Sequence, residues 1–156
     1  MSKKEGLEIM DKAKKRGNIR EHVIPGKNFI LCGLTGWCIE VAFTSMASAC
    51  KKDKKLMGQT SAWMFPIYGM AATILLIYPK IRHWHPLQRG LLYGLSILTA
   101  EYATGSLLSA LDVCPWNYEG CRFSVNGLIR LDFLPLWMMA GLLFERLLLQ
   151  TNPEYV

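Results

Sequence analysis

Three glutamates of this chain lie inside long apolar stretches. They are Glu40, Glu101 and Glu145, each in a different stretch. A carboxylate near the centre of a bilayer costs roughly 2.5 to 3.5 kcal/mol on insertion scales, so such a group faces the protein interior or a bound ligand instead of acyl chains. The chain therefore has to form a bundle whose interior accepts acidic groups.

Four segments approach the length and apolarity of a membrane-spanning helix. A span needs about 20 predominantly apolar residues to cross about 30 Å of hydrocarbon, and 51% of the 156 residues are hydrophobic. The segments cover residues 29–49, 62–78, 91–111 and 133–149. The sequence predicts an all-α integral membrane bundle of four transmembrane helices over residues 29–150, with a structured loop at 112–132.

Basic residues are unevenly distributed around these segments. Residues 1–28 are polar and basic, without the apolar core of a cleavable signal peptide, and form either an amphipathic surface helix or a solvated tail. Lys80, Arg82 and Arg89 follow the second segment. Because Lys and Arg in short flanks mark the cytoplasmic face, we expect a multi-pass cell-membrane protein with both termini in the cytoplasm. The same rule accounts for the net charge of +6, so no nucleic-acid partner is expected.

Small and polar residues share one face of the first span and one face of the third. At helical spacing the glutamates align with glycines. The stripes consist of Gly33, Gly36, Trp37, Glu40 and Thr44 in the first span, and of Gly90, Gly94, Glu101 and Gly105 in the third. We expect both faces to pack against protein. The GxxxG pair of the third span also permits close contact with a second copy of the chain.

The second and fourth spans begin alike. The segment FPIYGMA at residues 65–71 aligns with LPLWMMA at residues 134–140, and proline is accommodated in a first helical turn. Each of these spans follows a glutamate-centred one. The pattern is typical of two copies of a two-helix unit related by an axis along the membrane normal, with chance similarity between apolar segments as the alternative.

The loop between the third and fourth spans holds the densest set of distinctive residues. Trp116 suits the headgroup level, so the loop can cover the bundle as a lid. Arg130 is the expected counter-ion of Glu101, with Arg89 as the second choice, because a guanidinium group can bind both oxygens of a carboxylate. Arg130 could instead pair with Asp132.

Cysteine usage leaves the redox compartment open. Cys114 and Cys121 can form a disulfide in an oxidising compartment or remain free thiols in a reducing one. Cys32 and Cys38 lie six residues apart on different faces of the first span, which does not suit a shared metal ion. We expect no metal site and no cofactor.

Six motifs occur in a specific order along the chain. They are Gly36-Trp37 with Glu40, Pro66-Ile67-Tyr68-Gly69, Glu101-Tyr102 with Gly105, Cys114-Pro115-Trp116-Asn117-Tyr118, Asn126-Gly127 with Ile129-Arg130-Leu131-Asp132, and Pro135 to Trp137 with Gly141 and Glu145. From about Gly33 to Glu145 the chain resembles the CmpB-like family, putative ABC-transporter type IV. That family is in turn similar to the animal transmembrane protein 229 proteins. The resemblance implies transport, and Asn117 stands where the family more often has aspartate.

We expect the chain to bind and transport a cationic or protonatable ligand through its intramembrane glutamates, as a homo-oligomer in the lipid bilayer. Glu40 and Glu101 form the central carboxylate pair, and Glu145 is an accessory. The other candidate ligand-binding residues are Arg130, Trp37, Tyr102, Trp116 and Asp132. The sequence has no GxxxxGK(S/T) phosphate loop, so a nucleotide-driven step requires a partner protein.

Two other functions remain open at this stage. A membrane-embedded enzyme acting on a lipid or lipid-linked substrate would use Glu101 or Glu145 as general base. A structural membrane assembly factor would use the glutamates only to connect helices.

Overall fold

Helices form most of the protein. The computed structural model describes residues 26–50 and 54–155, so the surface helix or tail expected before residue 26 lies outside the described residues. The helices are α1 (Gly26–Cys50), α2 (Met64–Gly69), α3 (Ile74–Ile81), α4 (Pro86–Ala110) and α5 (Leu134–Thr151). A 3-10 turn at Met70–Thr73 joins α2 to α3, and two more, Leu131–Phe133 and Pro153–Tyr155, flank α5. The strands β1 (Ser124–Val125) and β2 (Ile129–Arg130) pair antiparallel.

The all-α prediction is confirmed, with helix ends that differ from those predicted. α4 begins at Pro86 because His85 caps it. The His85 Nδ1 atom accepts a hydrogen bond from the Leu87 backbone N–H at 3.3 Å, and the Gln88 side chain accepts one from the His85 N–H at 3.1 Å. Such caps satisfy the free N–H groups of a first turn. Hydropathy contains no information about them, so it placed the start of this helix too late.

Two glycine contacts hold the helices in pairs. Gly36 of α1 lies directly against Tyr68 of α2, and a Cβ atom at this position would overlap that side chain. On α4, a Cβ atom at Gly94 would lie 2.9 Å from both Leu134 Cδ1 and Met138 Cγ of α5. The prediction that these faces pack against protein is confirmed. The GxxxG segment contacts α5 of its own chain, so this close approach serves folding within one copy.

Four serine and threonine hydroxyl groups of α4 are satisfied within the helix. Ser96 and Ser106 each donate to the carbonyl oxygen four residues earlier at 2.8 Å. Thr99 and Thr104 do the same at 2.8 and 2.7 Å. A hydroxyl group needs such a bond wherever water is absent. The pattern is therefore suited to a helix surrounded by acyl chains.

Large apolar side chains cover the outside of the helices. Met139 of α5 is 69% exposed and Leu107 of α4 is 63% exposed. Further exposed side chains are Ile30, Leu34, Phe43 and Met46 on α1, and Leu87, Leu91 and Leu95 on α4. Among the described residues, Gly26–Cys50 and Met64–Ile81 are long and apolar enough to cross a membrane. Over their most apolar 18 residues, α4 and α5 have a lower mean hydropathy than these two segments. Charged residues lower it in both helices, and glycine and hydroxyl side chains lower it further in α4.

The beginning of α1 and the end of α5 lie side by side. The buried amide of Asn28 and the amide of Asn152 exchange hydrogen bonds of 3.2 and 3.3 Å. Both α1 and α4 begin at this end of the bundle. The loops that follow these two helices therefore lie at the opposite end. The loop 112–132 is ordered there: Trp116 Nε1 donates to the Leu128 carbonyl at 2.9 Å. Asn126 and Gly127 adopt positive φ angles of 52° and 69° and turn the hairpin.

A buried ion pair joins α4 to α5 near the Asn28 end. Arg89 donates from Nε and Nη2 to the two carboxylate oxygens of Glu145, each at 2.9 Å. The Tyr93 hydroxyl adds a third hydrogen bond to Glu145 at 2.7 Å. Glu145 is only 4% exposed. Arg89 is thus the partner of Glu145 and not of Glu101.

We expect Glu145→Gln to lower the free energy of unfolding by about 1.5 to 3 kcal/mol, the usual contribution of hydrogen bonds to a charged group, because Arg89 keeps some contact with solvent. The guanidinium group of Arg89 is then left without its counter-charge. Thermal unfolding of the purified protein in detergent micelles measures the loss.

The neighbouring Arg146 is exposed, so Arg146→Gln is the matched control and should change the free energy by no more than about 0.5 kcal/mol. The double variant Arg89→Gln with Glu145→Gln should lose less than the sum of the two single losses, because the two residues interact directly. Additive losses would contradict an energetic coupling between them.

Candidate ligand-binding site

A cavity of about 470 Å³ lies where α1, α2, α4, α5 and the loop 112–132 meet. We call it the polar chamber. Its lining includes Glu40, Thr60, Glu101, Tyr118 and Arg130. Small-molecule sites in proteins measure roughly 300 to 1,000 Å³, so the chamber has the size of a ligand site. Its walls come from both helix pairs, which are α1 with α2 and α4 with α5.

Glu101 has one carboxylate oxygen that is both buried and unpaired. The residue is 9% exposed, and the Tyr118 hydroxyl donates to its Oε1 atom at 3.2 Å. Its Oε2 atom has no hydrogen-bond partner among the described residues. The Trp137 indole lies close enough to interact with this carboxyl group, but its N–H does not meet hydrogen-bond geometry. A buried acceptor without a donor is costly, so a donor or a cation from a ligand would stabilise this oxygen.

Glu40 reaches the same chamber from α1. The Thr60 hydroxyl donates to its Oε2 atom at 2.7 Å. Thr60 lies there because the segment after α1 runs back along that helix: Thr44 Oγ1 accepts from the Gln59 N–H at 2.8 Å, and Ser48 donates to the Met57 carbonyl at 2.9 Å. Glu40 is half-buried. The chamber therefore contains two carboxylates from two different helices.

Arg130 lines the chamber but pairs with Asp132, which differs from the predicted pairing with Glu101. Its Nε atom donates to Asp132 Oδ1 at 3.1 Å, and its guanidinium group lies 4.2 Å from the centre of the Phe133 ring. The hydrogen bond from Arg130 lowers the pKa of the Asp132 carboxyl. Asp132 lies only two residues from Arg130 along the chain, so the two side chains can pair however the helices pack. The charge of Arg130 is therefore already compensated.

Aromatic side chains form much of the chamber wall. Tyr68, Trp116, Tyr118 and Trp137 all line it. Burial, followed by the charge of Glu101, raises the pKa of the Tyr118 hydroxyl. Tyr118 therefore keeps its proton at neutral pH and acts as a hydrogen-bond donor. Ring faces beside carboxylates form a site suited to a cationic group.

A second cavity, of about 270 Å³, adjoins the chamber. We call it the apolar groove. Its apolar lining includes Ile67, Ile74, Ile77, Ile97 and Phe144. Both cavities are lined by Met64, Tyr68, Glu101, Trp116, Trp137 and Ala140. Glu101 thus lies at the junction of a polar and an apolar space.

Four of the eight predicted site residues line the polar chamber, namely Glu40, Glu101, Arg130 and Trp116. The other four make contacts elsewhere. Glu145 is bound by Arg89, and Asp132 by Arg130. The Trp37 indole donates to the Ser61 carbonyl at 2.9 Å, and the Tyr102 hydroxyl accepts from Asn126 at 2.9 Å. The expected accessory role of Glu145 is therefore not supported by its position.

Most residues that line the chamber were not among the sequence candidates, including Tyr68, Trp137 and Thr60. Tyr68 and Trp137 occupy matching positions in the aligned segments FPIYGMA and LPLWMMA, so the alignment itself carried a signal for them. Thr60 had no signal, because its position depends on how the segment after α1 returns along the helix. Within residues 26–50 and 54–155, no three His, Cys, Asp or Glu side chains form a metal-binding group.

Comparison with known proteins agrees with the order of motifs in the sequence. No solved structure matches this chain. The model of the family described as Putative ABC-transporter type IV matches residues 27–155, which include both helix pairs, the polar chamber and the loop. The resemblance to this family that the motifs predicted is confirmed. With its two long apolar helices, the chain is a membrane protein and belongs to the Putative ABC-transporter type IV family.

Proposed function

We propose that this protein binds an organic cation between Glu40 and Glu101 and transports it across the cell membrane. The observation that carries the proposal is the buried, unpaired Oε2 atom of Glu101 in a chamber that also holds Glu40. A cation there supplies the opposite charge that a buried carboxylate requires. The description of the family as an ABC-transporter type supports the transport step.

The balance of charge in the chamber favours a cation over an anion. Arg130 is bonded to Asp132 through two nitrogen atoms, so its positive charge is already matched. Among the residues that the structure describes, the hydrogen bonds that Glu40 and Glu101 accept come from the hydroxyl groups of Thr60 and Tyr118. Two carboxylates without a cation repel each other in a medium of low dielectric constant. A bound cation removes this repulsion, whereas an anion increases it.

The same site can exchange a proton for a cation. A carboxyl group in apolar surroundings avoids its charged form unless an opposite charge is present. When no cation is bound, a proton neutralises Glu101. When a cation enters, the proton leaves and the carboxylate binds the cation. Occupancy by one species therefore excludes the other, which is the condition for coupled movement in opposite directions.

We further propose that all four helical segments span the bilayer, with both termini in the cytoplasm. The satisfied hydroxyl groups of α4 and the exposed leucines on its surface support a third span. The exposed Met139 of α5 supports a fourth. The two glycine-packed pairs, with Glu40 matching Glu101 and Tyr68 matching Trp137, support two repeated units that meet at the chamber.

A single four-helix chain forms a thin wall around a transport pathway, so the transporting form is a homo-oligomer. Gly94 and its neighbours are covered by α5. The contact between copies therefore lies on another face of the bundle.

Tetramethylammonium is the probe for binding, because its charge is permanent. We expect calorimetry on protein in phosphatidylcholine nanodiscs to show saturable binding that Glu101→Gln weakens at least tenfold, equivalent to about 1.4 kcal/mol. Glu40→Gln should weaken it similarly. The control Glu119→Gln removes a charge from the same loop region outside the polar chamber and should bind normally. Unchanged affinity in Glu101→Gln would reject the proposed site.

Exchange can be measured in proteoliposomes loaded with tetramethylammonium and the pH indicator pyranine. As the cation leaves down its gradient through the wild-type protein, protons should enter and acidify the interior. Vesicles with Glu101→Gln should acidify at the rate of protein-free vesicles, because the exchanging group is absent. Equal acidification rates for wild type and Glu101→Gln would contradict exchange at this residue.

The orientation is tested by thiol labelling. Cys121 is exposed in the loop at the chamber end, so a membrane-impermeant maleimide should label it in intact cells when the other cysteines are alanine. A cysteine introduced at the exposed Lys80, at the opposite end, should react only after the membrane is permeabilised. The reverse pattern would invert the proposed topology.

A further inference from the structure

We infer that the natural ligand is an amphiphile, with an organic ammonium head group in the polar chamber and one alkyl chain in the apolar groove. This inference rests on the proposed function and specifies the class of its substrate. A small hydrophilic cation would need only the chamber. The groove beside it has a different chemistry, and that difference identifies the second part of the ligand.

The two cavities meet at Glu101. This residue lines both of them, as do the aromatic side chains Tyr68, Trp116 and Trp137. Its unpaired Oε2 atom is buried at this junction. A head group bound to Glu101 therefore has the groove directly beside it. A substituent on that head group can enter the groove without leaving the protein.

The lining of the groove favours hydrocarbon over water. Apart from Glu101, its side chains carry no charge, and most of them are aliphatic or aromatic. Tyr93, which also lines the groove, uses its hydroxyl group to bind Glu145. Moving an alkyl chain from the bilayer into this groove costs little free energy, because both surroundings are apolar. The chain also fills a space in which water finds few hydrogen-bond partners. A cation without a chain leaves this space unused.

The groove reaches the surface between the two helix pairs. Met70 and Thr73, in the turn between α2 and α3, line it and are exposed. Ser96 of α4 lines it from the other side and is also exposed. The outer faces beside this opening carry Leu76 and Leu95, both large and exposed. A chain can therefore enter sideways from the hydrocarbon of the bilayer, while its head group passes to Glu101.

The head group is cationic because the junction is acidic. Glu101 and Glu40 repel a carboxylate, sulfate or phosphate head group, and Arg130 is already bound to Asp132. Aromatic ring faces add attraction for an ammonium group and none for an anion. The structure therefore assigns the two ends of the ligand to two distinct sets of residues, and each set can be changed separately.

The test uses dodecyltrimethylammonium with bromine atoms along its chain, which quenches tryptophan fluorescence on contact. Trp116 and Trp137 line the groove, so protein in phosphatidylcholine nanodiscs should show saturable quenching. Brominated dodecanoate, with a chain of equal length and an anionic head, should show only the non-saturating quenching that follows its partition into the lipid. Ala100 lines the groove but not the chamber, so Ala100→Leu should weaken binding of the brominated ammonium at least tenfold. The same variant should bind tetramethylammonium normally. Ala103→Leu, at an exposed position of the same helix, is the matched control and should bind both probes normally.

The outcomes separate this inference from the proposed function. Suppose that wild type binds tetramethylammonium but that Ala100→Leu and Ala103→Leu bind the brominated ammonium equally well. The alkyl chain then does not occupy the groove, and the amphiphile inference fails while the proposed function stands. The same conclusion follows if Ala100→Leu weakens both probes equally, or if dodecanoate quenches as strongly as the ammonium. If wild type binds neither cation, the proposed function and this inference fail together.

Discussion

The structure depends on one constraint: a carboxyl group inside an apolar helix bundle must find its partner within the bundle. The three glutamates meet this requirement to different degrees. Glu145 has three donors from Arg89 and Tyr93, Glu40 has the Thr60 hydroxyl, and Glu101 retains an unpaired oxygen. A fully paired group connects helices, whereas a partly paired one remains available to a ligand. The same residue type thus has a structural role at one end of the bundle and a binding role, in our proposal, at the other.

The glycines decide where the cavities form. Close packing at Gly36 and Gly94 brings the two helices of each pair into direct contact. Large aromatic side chains, Tyr68 and Trp137, then project to where the two pairs meet, and side chains of this size leave space between the pairs. The loop 112–132 closes that space from one end with Trp116. Tight packing within the pairs and looser packing between them are therefore two results of one distribution of small and large residues.

Much of the fold could be predicted from the sequence, because helical periodicity and apolar length are local properties. The stripe that contains Gly94 and Glu101 is buried as its spacing indicated. The ion pairs could not be predicted in this way. Arg89 and Glu145 are 56 residues apart, and the choice between Glu101 and Glu145 as partner of Arg89 depends on the end of the bundle at which each carboxylate lies. The position of Glu145 in α5 places it beside the first turn of α4, and only the packed structure reveals this.

The amide pair of Asn28 and Asn152 has a mechanical consequence. Since these bonds tie the first helix to the last at one end of the bundle, a rigid-body rotation that preserves them must pivot about that end. Displacement then increases with distance from the pivot, so it is larger at Glu40 and Glu101, in the middle of α1 and α4, than at Arg89 in the first turn of α4. A few degrees of tilt between the helix pairs would change the gap between the carboxylates while the Arg89 contact stays closed. The amide pair thus fixes the relative position of α1 and α5 at one end, and the gap between the two carboxylates is the distance that such a tilt would change.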